Sequence, residues 1–169
     1  PTNDPLPYGT TRVVYTDAAG NAAFDLEPSS YQIFVSRGTE YSAFSAPLTV
    51  TAGNTSTVPA QIAKVVQTPG FASSDYHVHA LNSPDSSVSN VNRVLQFAGE
   101  GVDNVIMTDH DAHTDLDPVI ASLGMTPFVA ATVGEEITSF DYGHFNAYPL
   151  GIDPSRVSKG STDHGGAAP

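Results

Sequence analysis

A chain of 169 residues leaves room for one medium domain or two small ones. Its formal charge of −12, with six Lys and Arg in all, lacks the clustered cations that phosphate backbones require, and so excludes nucleic acid as a partner. The absence of cysteine excludes disulfides and thiolate zinc sites, leaving His, Asp and Glu to hold any metal.

No apolar run approaches the length of a membrane span, and no basic-then-apolar signal segment is visible. The chain starts at Pro1, inside a continuing pattern, and the expectation is a processed or excised piece from which a secretory signal has been removed. The expected location is therefore extracellular or periplasmic.

The first third of the sequence carries β signals. Thr11–Tyr15, Ala22–Leu26, Tyr31–Val35, Leu48–Thr51 and Thr57–Ala63 are β-rich runs, separated by turns such as Asp17-Ala-Ala-Gly20-Asn21 and Ala52-Gly53-Asn54. Short strands at this spacing predict an all-β sandwich over residues 1–68, with no His or acidic cluster and hence no chemistry of its own.

After Thr68-Pro69-Gly70 the pattern changes. Phe71–Ala80 is a predicted strand, and Ser87 or Ser89 caps a helix with Val91, Val94, Leu95 and Ala98 on one face, ended by Gly99 and Gly101. Val102–Thr108 is an apolar strand of the kind buried on both faces. Asp117-Pro118 reads as the N-cap and first turn of a second helix, with Val119, Ile120 and Leu123 inward and Gly124 closing; Phe128–Val133 is a further strand. The succession predicts a parallel α/β unit over residues 69–169.

His77 and His79 alternate along a strand, so both rings point to one face. The next strand ends in Thr108-Asp109-His110-Asp111, the third in Gly134-Glu135-Glu136, followed by Gly143-His144-Phe145-Asn146. The carboxyl ends of neighbouring parallel strands share one rim, where active sites are built. A solvated polar rim is the alternative. It explains poorly why three consecutive strands end in His, Asp or Glu, since clustered acids repel unless a cation joins them.

Asp75-Tyr-His77-Val-His79, Ser83-Pro-Asp85, Glu100 through Asp111, Gly134-Glu135-Glu-Ile and Gly143-His144-Phe-Asn146 resemble the motifs of the PHP (polymerase and histidinol phosphatase) metallohydrolases. The similarity is to the secreted CehA/McbA-like branch, in which a carboxypeptidase-regulatory-like or transthyretin-like sandwich often precedes the hydrolase. The resemblance implies a distorted β/α barrel, present here as about half, behind the sandwich. It implies up to three divalent ions, of zinc, manganese or iron. His77 and His79 would hold one ion, Glu135 would bridge it to a second that also takes His144, and Asp85 and His110 would hold a third. Asp75, Asp109 and Asn146 would orient imidazoles or bound water.

The remaining polar residues have plainer explanations. His113 is expected in solvent, Glu136 on the surface or at an interface because it alternates with Glu135, and Asp117 at a helix cap; His164 has no counterpart in the family pattern. The resemblance implies later ligands as well, a further His and an Asp-x-His pair beyond Asn146; no Asp-x-His pair follows Asn146 in this sequence. The expected function is thus a metal-dependent hydrolase of phosphoester, carbamate or amide-like bonds. It would be completed by the C-terminal half of the barrel or by neighbouring copies, and would act on a small molecule. The alternative is a non-catalytic binding or assembly module derived from such a hydrolase.

Overall fold

The computed structural model describes residues 9–161. In chain order the elements are β1 (Ser29–Val35), β2 (Phe44–Val50), β3 (Ser74–Val78), α1 (Asn90–Glu100), β4 (Asn104–Met107), α2 (Asp117–Ser122), β5 (Ala130–Val133), β6 (Glu135–Ser139) and β7 (Gly143–Ala147). The strands fall into three small sheets, ordered β1-β2, β3-β4-β5 and β6-β7.

The β1–β2 pair is antiparallel, in register from Ser29 opposite Val50 to Val35 opposite Phe44. Its side chains alternate between half-buried (Tyr31, Ile33, Val35) and exposed (Gln32, Phe34), as period-two strands must. The pair is tied to the rest of the chain at one corner. There Arg37 Nε donates to the carbonyl of Ala98 at 3.2 Å, and its guanidinium lies 4.9 Å from the Phe128 ring centroid.

The β3-β4-β5 sheet is parallel throughout, with α1 and α2 in its two crossovers. Helix α1 starts where Ser89 Oγ accepts from the amide of Asn92 at 3.2 Å. It ends where Gly101, at φ 68°, turns left-handed and Val102 N–H reaches back to the carbonyl of Phe97 at 3.0 Å. The apolar face of α1, with Val94 and Ala98, packs with Val78, Val105, Met107, Leu116, Ile120, Met125 and Val129 into one core cluster. Full burial of one such side chain stabilises by about 1.5–3 kcal/mol, and this cluster fixes where β3 and β4 end.

The expected fold class is corrected in both halves. The chain is a sheet-rich fold of small sheets, with no β/α barrel and no all-β sandwich among the described residues. Of the five strands expected before Thr68, only Tyr31–Val35 and Leu48–Thr51 coincide with regular strands, β1 holding the first whole and β2 the second as far as Val50. Thr11–Tyr15, Ala22–Leu26 and Thr57–Ala63 form no ladder. β-branched residues favour extended backbone but bury nothing unless a second layer covers them.

A growing barrel would place the next strand parallel beside β5. Instead the chain turns at Gly134 and folds back on itself as the antiparallel β6–β7 pair, with Glu135 opposite Ala147 and Ser139 opposite Gly143. A Cβ on Gly134 would lie 2.8 Å from the carbonyl oxygen of Met107 and 2.9 Å from that of Ala147, so only glycine lets the backbone pass there. The second helix is also entered differently from expectation. Leu116 is the cap residue, Asp117 is the first helical residue, and Asp117 N–H donates to Asp115 Oδ1 at 2.9 Å.

Candidate metal centre

The core places Val78 inward, 4% exposed, and thereby turns His77 and His79 together to the opposite face, with ring centroids 4.9 Å apart. His110 follows β4 and meets β6 through an isolated parallel bridge to Glu136. Two backbone hydrogen bonds frame that bridge: Asp111 N–H to the carbonyl of Glu136 at 3.1 Å, and Glu136 N–H to that of Asp109 at 3.3 Å. The β6–β7 hairpin, joined to the parallel sheet here, brings Glu136 and His144 to the histidines.

Glu136 is the hub. Its Oε2 stands 2.8 Å from His77 Nε2 and 2.9 Å from His79 Nε2, while its Oε1 stands 2.6 Å from His144 Nδ1. Burial pushes the Glu136 carboxyl up. Hydrogen bonds with His77 and His144 and charge at His110 outweigh that and hold it below the usual glutamate range.

Asp85, on the turn after β3, approaches from the other side, with Oδ1 3.0 Å from His79 Nδ1 and Oδ2 3.3 Å from His110 Nε2. Ser83 Oγ donates to Asp85 Oδ1 at 2.6 Å and accepts from the amide of His110 at 3.2 Å. The Ser83 hydroxyl first, and His79 next, hold the Asp85 carboxyl well below the usual aspartate range. His110 Nδ1 meets Thr138 Oγ1 at 2.6 Å.

Three overlapping ligand sets result: His77, His79 and Glu136; His79, Asp85 and His110; His110, Glu136 and His144. Their donors are imidazole nitrogens and carboxylate oxygens, the borderline set that zinc, manganese and iron accept. Ligand atoms at about 2.0–2.2 Å from one zinc ion stand roughly 3–3.5 Å apart. The contacts of Glu136 and Asp85 with the histidines already lie close to that separation. An ion can therefore replace the hydrogens between them with small side-chain shifts, and these clusters, each with one exposed member, could hold a metal.

Five expected ligands thus converge: His77, His79, Asp85, His110 and His144. Glu135 does not. It points to the far side, where Ser161 Oγ donates to its Oε1 at 2.6 Å and its Oε2 lies 3.1 Å from His113 Nε2. His113 is accordingly buried rather than in solvent, with Nδ1 2.8 Å from the carbonyl of Gly151. Glu136, expected at the surface, occupies the place assigned to Glu135. The resemblance assigns Glu135, and alternation with it sets Glu136 aside; the two do alternate in β6, and it is Glu136 that the pairing with β7 turns toward the rim.

The supporting residues also differ from expectation. Asp109 is fully buried and, among the described residues, hydrogen-bonds to no imidazole; its Oδ1 accepts from Ala80 N–H at 2.6 Å and its Oδ2 accepts from the Thr114 hydroxyl, so it locks the end of β3 to that of β4. Asp75 Oδ1 accepts from the backbone of His77 at 3.1 Å. Asn146 is exposed and stands opposite Glu136 in the hairpin ladder. His164 lies outside the described residues.

The cluster lines an open cleft of about 560 Å³ whose wall is completed by Arg93 of α1. No described helix is long and apolar enough to cross a membrane. Compared with known protein families, curated proteins and solved structures, the chain matches none of them.

Proposed function

We propose that the chain is a divalent-metal-dependent hydrolase with PHP-like ligand chemistry, acting on phosphoester, carbamate or amide-like bonds of a small molecule. The observation that carries this is the division of Glu136. One oxygen faces His77 and His79 and the other faces His144, the disposition of a carboxylate that joins two ions. His77, His79 and Glu136 would hold one ion, Glu136 and His144 the second, and Asp85 with His110 a third. Divalent ions, when bound, supply water of lowered pKa and a charge that polarises the electrophilic oxygen of the substrate.

The chain's own groups prepare the cleft for that chemistry. Ser83 fixes Asp85, Thr138 fixes the ring of His110, and the Asp109 lock holds the two strand ends from which His79 and His110 project. The side chains of His77 and His144 stay about half exposed, 54% and 51%, so the cluster is open on the substrate side. A complementary polypeptide or a neighbouring copy covering that side would supply further ligands and exclude water.

Native mass spectrometry and titration calorimetry with manganese and zinc test this. Wild type is expected to bind at least one ion. Glu136→Gln should weaken binding by more than the roughly ten- to hundredfold that outer partners of a metal command. Glu135→Gln should bind normally when folded. Undiminished affinity in Glu136→Gln would overturn the assignment.

A non-catalytic assembly module is the second reading. It is favoured by the hairpin tip, where Phe140 and Tyr142 are 103% and 81% exposed. Hydrolysis of an aryl phosphoester by metal-loaded protein, lost in His79→Ala, would exclude it.

A further inference from the structure

We infer that Arg93 is the anion-recognising residue of the cleft, set to take an oxygen of a substrate's phosphoryl group lying across the His and carboxylate cluster, a role that depends on the metal site proposed above. Six Lys and Arg occur in the whole sequence, and Arg93 is the one that lines this cleft. Two of the others are used structurally: Lys64 pairs with Glu40 at 2.7 Å, and Arg37 stacks on Tyr41 and Phe128.

Arg93 is held without being neutralised. Its Nε donates to the carbonyl of His79 at 2.6 Å and its Nη1 donates to Gln96 Oε1 at 3.2 Å, and both acceptors are uncharged. Asp85 and Glu136 line the same cleft, yet among the described residues Arg93 forms no ion pair with either. A half-buried guanidinium normally finds a carboxylate, because desolvating it otherwise goes uncompensated. Here Nη2 and the net charge are left for a ligand. The tether to the His79 carbonyl also fixes the guanidinium relative to the cluster before any ligand arrives, which lowers the ordering cost of binding.

Charge and oxygen count favour phosphoryl over carboxylate. Glu136 offers a single negative charge to the two divalent ions it would join, so those ions keep an excess of positive charge, and Arg93 adds one more; a phosphoryl dianion answers this better than a monoanion. A phosphoryl group can give two oxygens to the ions and keep a third for Arg93, whereas a carboxylate so used has none left.

The experiment is calorimetric titration of inorganic phosphate, with acetate in parallel, into wild type, Arg93→Met and Arg93→Lys, each with and without manganese. Manganese affinity should stay within about twofold in both variants. Phosphate affinity of the manganese-loaded protein should fall roughly ten- to hundredfold in Arg93→Met, the worth of a charge-assisted hydrogen bond. It should fall less in Arg93→Lys, which keeps the charge and loses the fork; that variant also serves if Arg93→Met fails to fold. Equal phosphate affinity in wild type and variants, or none in wild type, overturns the inference. So does acetate binding as tight as phosphate. So does a parallel loss of manganese, because Arg93 would then act only through His79. If wild type takes no manganese but binds phosphate in an Arg93-dependent way, the metal site fails and the anion site stands.

Discussion

Residues 9–70 and residues 71–161 both contain paired strands, yet only the second stretch has an interior. No residue from 9 to 77 is buried; the first buried side chain is Val78. In the first stretch β1 and β2 satisfy each other's backbone but present their half-buried face to no second layer of their own. In the second, α1 and α2 cover the parallel sheet and β4 becomes almost wholly buried. Strand pairing orders backbone, whereas covering a sheet face excludes water, and the second supplies most of the stability. The candidate metal ligands stand on the rim of the covered sheet and on the hairpin it anchors, where a rigid support is available.

Truncation in each stretch should separate the two most widely. Met107→Ala, at a side chain with no exposed surface, is expected to cost about 2–5 kcal/mol in urea unfolding. Phe34→Ala, 73% exposed on β1, should stay within about 0.5 kcal/mol. A comparable loss in both would mean that β1–β2 has a buried face after all.

A smaller effect is expected at the strand ends. Asp109→Asn turns one acceptor of a buried lock into a donor, facing either Ala80 N–H or the Thr114 hydroxyl. It should destabilise by about 1–3 kcal/mol and weaken manganese binding, measured by thermal unfolding and calorimetry. Ser89→Ala removes the α1 cap and should cost about 1 kcal/mol, with metal affinity unchanged. Loss of metal binding there would tie the helix to the site more closely than its hydrogen bonds suggest.

The smallest effect lies at the start of the second stretch, just before β3. Asp103 Oδ2 accepts from the amide of Ser73 at 2.8 Å and from its hydroxyl at 3.1 Å; the backbone bond first holds its carboxyl below the usual aspartate range. A carboxyl depressed in the folded state contributes stability that is present above its unfolded value of about 3.9 and is lost as pH falls through the folded value. Stability should therefore drop as the medium is acidified below about pH 4, and Asp103→Asn should flatten that drop slightly, since solvent screens this site. An unchanged acid limb in equilibrium unfolding would show that the Ser73 contact is not retained in solution.

Periodicity made the buried stretch legible. Val94 and Ala98, four apart, did point into the core, and the apolar run around β4 did mark a covered strand. It failed for the first stretch because alternation reports a half-apolar strand, not whether anything covers it. At the site, His77, His79 and His110 were found from strand ends, but the choice between Glu135 and Glu136 turned on a partner strand. Once Glu135–Ala147 is taken as a hairpin, the pairs Glu136–Asn146 and Thr138–His144 share a parity, so Glu136 and His144 must face the same side. The Asp141-Tyr142-Gly143 run, a turn residue and a glycine close together, was the available signal. His113 was missed because its partners, Gly151 and Glu135, lie 38 and 22 residues away, beyond any local pattern.

Among the described residues, the β6–β7 hairpin follows β5 through Gly134 and meets the end of β4 through the isolated bridge of His110 to Glu136, the bond from Thr138 N–H to Asp111 Oδ1, and side chains that face each other across the cleft. An ion gripped by His77 and His79 on one side and Glu136 on the other would act there as a cross-link, closing a loop between positions 59 apart in a chain that has no cysteine with which to make one. Such a link is reversible and set by mass action: free metal at a hundred times its dissociation constant adds about 2.7 kcal/mol. Under the proposed metal chemistry, the supply of metal in the surroundings would govern how long the hairpin stays closed, and chelation would loosen this edge of the molecule first.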